Sequence, residues 1–205
     1  MKSLLKASLT LAAFVLMMGI TSGTARADLV TFSTTGTFTA GSGAGTNMTT
    51  FGSDGNTTTL TFVGAGSTTL NTTTNASFGD IRTSATGVGA AISGNLDLMI
   101  MQTAPTSGTG TLVGMLTGSV TQNQSSGLLT FGVQSIIING FTYTPDQFYR
   151  IVPPPSGAGG GAVEGVTSLQ GTVSGAPIPE PTTMLLLGTG LAGLAARARR
   201  KRQGE

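Results

Sequence analysis

The sequence predicts a mainly β protein: an antiparallel β-sandwich or jelly-roll-like body, preceded by an N-terminal signal helix and followed by a short C-terminal transmembrane helix. Three observations carry that reading. Between residues 28 and 176 apolar side chains recur at every second position, with Thr and Val enriched, which is the pattern of strands half-buried in a sheet. No stretch of that body sustains a 3.6-residue period. Each end of the chain, in contrast, has an uncharged apolar run beside basic residues.

The body strands can be placed one by one. Val30, Phe32 and Phe38 share one parity with Thr between them, and Leu60 and Phe62 repeat the pattern. Leu96, Leu98 and Ile100 alternate with Asp97, Met99 and Met101. Leu112 to Val120 reads as a Gly-containing apolar strand. Leu129, Phe131, Val133 and Ile137 are expected on one face, with Ile136, Ile138 and Phe141 following. Phe148–Val152 and Val163–Val173 complete a set of about eight short strands, enough for a sandwich in a body this long. Turn signals separate them: Gly41–Gly45, Ser53-Asp54-Gly55-Asn56, Gly64-Ala65-Gly66, Ala104–Gly108 and Asn139-Gly140. Asn-Gly between Ile138 and Phe141 is the strongest hairpin cue, because both residues tolerate the positive φ of a type I′ turn. A stiff-then-flexible segment, 153–162, begins with three prolines and runs into glycines, and is expected to be an exposed loop. The Thr-rich stretch 31–86 admits a second reading, disorder.

Composition excludes several function classes. The 205 residues include no Cys, His or Trp, and only 9% are charged. A disulfide framework, a thiol nucleophile and a Ser-His-Asp triad are therefore ruled out. So are the usual His and Cys ligands of zinc, copper and haem, and no metal site or cofactor is expected. The formal net charge of +2 belongs to the ends. Residues 28–178 have two bases, Arg82 and Arg150, against six acids, for a net charge of −4. A nucleic-acid partner would need a basic patch that this body lacks.

The N-terminal segment 1–27 reads as a signal peptide. Lys2 and Lys6 form its basic start, Leu9–Ile20 its apolar run, and Ala25-Arg26-Ala27 an A-x-A cleavage site. Small side chains at Ala25 and Ala27 fit a signal peptidase, and the mature chain would begin at Asp28. The C-terminal segment 177–205 has three parts. Pro177, Pro179 and Pro181 keep the chain extended around Glu180. Thr182–Ala196 is uncharged and 15 residues long. As a helix it spans about 22 Å at ~1.5 Å per residue, marginal for a ~30 Å hydrocarbon core. Arg197, Arg199, Arg200, Lys201 and Arg202 then form a basic terminus that should stay cytoplasmic and leave the body outside.

The triplet Pro179-Glu180-Pro181, the short apolar helix over 182–196 and the basic terminus 197–202 together resemble the PEP-CTERM sorting signal, over residues 177–202. The resemblance implies recognition of the tail by an exosortase, a membrane transpeptidase-like protease. It also implies export by bacteria that secrete exopolysaccharide.

Other candidate sites are weaker. Sequons at Asn47, Asn56, Asn71, Asn75 and Asn123 are expected by chance in a Thr-rich chain. Asp54-Gly55-Asn56 offers oxygen atoms to calcium but lacks the rest of a calcium loop, and an Asx-stabilised turn explains it. Asp80 and Asp97 are the acids a glycosidase reading would require, without a spacing argument to join them. Tyr143, Phe148, Tyr149 and Arg150 read either as a sugar-binding face or as the core and rim of a strand. The sequence thus predicts a non-catalytic, exported cell-envelope or extracellular-matrix protein, associated with biofilm or exopolysaccharide and sorted by an exosortase. It would be anchored transiently in the inner membrane and then reach the cell surface or matrix. Signal peptidase and exosortase are its processing partners, with exopolysaccharide or self-association beyond them. The alternative is a lectin-like or adhesin carbohydrate-binding module.

Overall fold

The computed structural model describes residues 29–71, 73–155, 163–175 and 188–193. The expected signal helix and most of the tail lie outside those residues. In chain order the strands are β1 (Leu29–Phe38), β2 (Met48–Ser53), β3 (Asn56–Gly64), β4 (Thr68–Asn71), β5 (Thr74–Ala85), β6 (Ala90–Ala91) and β7 (Gly94–Ala104), then β8 (Gly108–Thr117), β9 (Ser119–Val120), β10 (Leu128–Thr130), β11 (Ile136–Ile138), β12 (Phe141–Pro145), β13 (Phe148–Arg150) and β14 (Gly165–Gly175). Six of them form a front sheet in the order β13-β10-β8-β7-β1-β4, and six a back sheet in the order β11-β12-β14-β5-β3-β2. The short strands β6 and β9 pair with each other. All pairings are antiparallel, and the body is a compact unit of its own, Ala27–Ala176. The Thr-rich stretch 31–86 is ordered strand over most of its length rather than disorder.

The alternation explains the sandwich. Every second residue of β1, β7 and β8 is buried, and so is every second residue of β3 and β14 from the other sheet. One core results, with Phe32, Leu96, Leu98 and Ile100 of the front sheet against Leu60, Phe78, Ile81 and Tyr143 of the back. Phe32 makes the closest aromatic contacts across the gap, 5.4 Å from the Tyr143 ring edge-on and 6.0 Å from Phe78. Aromatic pairs in this geometry contribute about 0.5–1.5 kcal/mol beyond the area they bury.

Buried threonines fasten the two sheets. The Thr34 hydroxyl on β1 donates to the Phe78 carbonyl on β5 at 2.7 Å and accepts the Ala65 N–H at 2.8 Å. Thr58 on β3 donates to the Val120 carbonyl and accepts the Ala90 N–H, which holds the β6–β9 ribbon over one end of the core. Tyr143 donates to Gln102 Oε1 at 2.8 Å, and Gln102 Nε2 donates to the Thr106 carbonyl. These groups are buried but partnered, so they escape the cost of a desolvated orphan. Thr83, fully buried on β5, is different: its hydroxyl has no partner.

The hairpin cue is borne out. Asn139 and Gly140 both have positive φ, 48° and 85°, and join β11 to β12. Asp54 (53°) and Gly55 (80°) do the same between β2 and β3. Two strand expectations are corrected. Leu129, Phe131, Val133 and Ile137 do not share a face. Gly132 turns with φ +64°, β10 stops at Thr130, and the chain crosses to the back sheet. Val133 is 88% exposed and Ile137 72%. The strand expected over 112–120 breaks at Gly118 (φ +104°), and Ser119–Val120 joins the small ribbon instead. Within the expected exposed loop 153–162, Pro154 is buried and its carbonyl accepts the Asn123 N–H at 2.9 Å.

The edges are short. The long strands β1, β5, β7, β8 and β14 are all interior, and the four edge strands β13, β4, β11 and β2 have three to six residues.

Candidate functional site

The residues expected to carry sorting are Ala25, Ala27 and Asp28 at the signal-peptide site, Pro179, Glu180 and Pro181 at the motif, and Arg197, Arg199, Arg200, Lys201 and Arg202 at the terminus. All lie outside the described residues. Of the expected apolar helix 182–196, residues 188–193 are helical, and all six are exposed. Among the described residues no helix is long and apolar enough to cross a membrane.

Within the body, the weaker candidates separate. Asp80 lies on the outer face of β5 in the back sheet, where its carboxylate accepts from Ser168 at 2.7 Å. Asp97 lies on the outer face of β7 in the front sheet. The two acids are therefore on opposite faces of the sandwich and cannot act on one glycosidic bond. Tyr143 and Tyr149 are core, whereas Phe148 and Arg150 point outward from β13, so the four do not make one sugar-binding face. Burial pushes the Tyr143 phenol up to about 12, and the Tyr149 phenol is raised further by the same cause. Neither is a base at neutral pH. The Tyr149 hydroxyl accepts the Asp146 N–H and donates to the Gln170 carbonyl, which closes the corner between β12 and β13.

Asp54 and Asn56 occupy the β2–β3 hairpin turn. Ser53 donates to the Asp54 carboxylate, and Asn56 Oδ1 accepts the Val88 N–H, so the oxygens serve the turn. Among the described residues no group of three or more acids is gathered as a metal site would need. The five sequon asparagines are exposed. Arg82 and Glu164 form an exposed ion pair at 3.3 Å, a contact of small energy.

The outer faces of both sheets mix polar and apolar side chains. On the back sheet Thr59, Thr61, Ser77, Ser168, Gln170 and Thr172 face outward, together with Met48, Val63, Ile137 and Val166, which are 38–72% exposed. On the front sheet Met99, Val113, Met115 and Phe148 are 37–63% exposed. The signal was present in the sequence: the outward parity of β7 and β8 has Met99, Val113 and Met115 among its polar residues.

The model of the PEP-CTERM protein-sorting motif matches residues 177–201. The chain therefore has this sorting signal, and the signal marks a protein that is exported and processed by an exosortase. Neither curated proteins nor solved structures gave a match to the chain.

Proposed function

We propose that this chain is a non-catalytic component of the cell envelope or extracellular matrix, delivered by export, transient anchoring in the inner membrane and exosortase processing of the tail. The observation that supports this most is the order of parts in the tail sequence: a Pro-Glu-Pro triplet, an uncharged segment short for a bilayer, and a basic run, with the motif match at 177–201 spanning all three. A span this marginal suits a temporary anchor better than a permanent one. The body supports a non-enzymatic role by its chemistry. It has no His or Cys, and its candidate acids stand on opposite faces. Fractionation of a wild-type and an exosortase-deficient host tests the proposal. Surface or matrix protein in the first and membrane-retained protein in the second supports it. The same distribution in both hosts refutes it.

A second reading, a carbohydrate-binding module, is favoured by the hydroxyl and amide side chains on the outer face of the back sheet. Glycan-array binding by the body, lost when Gln170 and Ser77 are replaced by Ala, would support it.

A further inference from the structure

The outer face of the front sheet has an organisation that sorting does not use. Its apolar stripe runs over Met99, Val113, Met115, Leu128 and Phe148, and Phe148 is 63% exposed. A run of neighbouring exposed apolar side chains is a feature of interaction sites. Among the described residues two charged side chains lie on this face: Asp97 on β7 and Arg150 on β13, of opposite sign. Their places follow from the register. Asp97 pairs with Val113, whereas Arg150 pairs with Leu128, which pairs with Thr117. Met115 is midway between Val113 and Thr117 along β8. Across the sheet, the midpoint of the order β13-β10-β8-β7 falls between Thr130 and Met115, which are themselves paired. The midpoint between the acid and the base thus falls beside the apolar Met115.

That arrangement suits a surface that pairs with itself. A two-fold contact puts residue i of one copy on residue j of the other, and j on i. The two charges are three strands apart, about 14 Å, and four residues apart along the strands, also about 14 Å. The line joining them runs near 45° to the strands. An in-plane two-fold axis perpendicular to that line exchanges acid and base and crosses the two sheets near 90°, one of the two angles at which sheets pack. We propose that a second copy of this chain docks on the front sheet about that axis. Met115 of the two copies would meet at the centre, and each Asp97 would face Arg150 of the other copy. A polyanion fits less well, because the body's net charge of −4 repels it.

The absence of Cys makes the test direct, because an introduced thiol is the only one in the chain. The full-length chain, exported in its own host, is made as Met115→Cys and treated with a short bis-maleimide able to span two packed sheets, ~10 Å apart. Thr130→Cys, beside the same axis, is a second probe, and Thr172→Cys on the back sheet is the control. Homodimer adducts are expected for Met115→Cys and Thr130→Cys and not for Thr172→Cys. Added to Met115→Cys, either Asp97→Arg or Arg150→Asp alone should lower the yield about tenfold through like-charge contact, and the two together should restore it. Monomer from both front-sheet probes, equal adducts from the control, adducts with a different protein, or no rescue in the charge swap would each overturn the proposal.

Discussion

The body and the tail store information in opposite ways. In the body it is spread over fourteen strands, and a single strand says little until its partner sheet is known. In the tail it is contiguous: one acid between prolines, an uncharged run and a basic cluster, all within 177–202. A distributed signal withstands single surface changes and fails gradually as core contacts are lost. A local one can be abolished at one residue without disturbing the fold. Substitutions in the two regions should therefore have effects of different kind.

The largest expected effect is in the tail. Glu180→Gln removes the one anion between Pro179 and Pro181, which a basic pocket can bind. The variant is expected to be exported and folded, yet to remain in the inner membrane with its tail, as immunoblots of membrane and matrix fractions would show. Normal release of the variant would mean that the charge is not read.

In the body the largest effect should come from Phe32, which touches both Phe78 and Tyr143 across the core. Phe32→Ala is expected to cost about 3–5 kcal/mol in denaturant unfolding of residues 28–176. Thr34→Val should cost about 1–3 kcal/mol, because the Ala65 N–H and the Phe78 carbonyl both lose their partner inside the sandwich. Thr83→Val sharpens that comparison. Its hydroxyl is equally buried but unpartnered, so removing it is expected to stabilise by about 1 kcal/mol, and a loss as large as that at Thr34 would contradict the assignment. The smallest effect at neutral pH is alkaline. Tyr143 is pushed up to about 12 by burial, above the ordinary phenol, so the native state holds protons that the unfolded state releases. Stability should be flat through neutral pH and fall from about pH 10 upward, more steeply than in Tyr143→Phe.

Much of the body was legible in the sequence, because alternation and turn chemistry are local. The inward sets Val30, Phe32, Phe38 and Leu96, Leu98, Ile100 and the Asn139-Gly140 turn could all be read directly. Failures occurred where the chain changes sheet. The apolar alternation from Leu129 continues past Gly132 in sequence but not in space, since a positive φ there sends the chain to the other layer. Asp80 and Asp97 could not be assigned to opposite faces without knowing which sheet holds each strand. The inward threonines were missed for a related reason: Thr34, Thr58 and Thr83 lie on the apolar parity, but Thr there looks like Thr on the solvent side. The tail needed no such context for its motif to be recognised, because its parts adjoin in sequence.

The central claim is that the sorting tail is a temporary anchor and is removed. Intact-mass measurement of the protein recovered from its native host tests this most directly. The account predicts a chain beginning at Asp28 and lacking the segment from the apolar run through Arg197–Glu205. A mature mass that retains Arg197–Glu205 would contradict it.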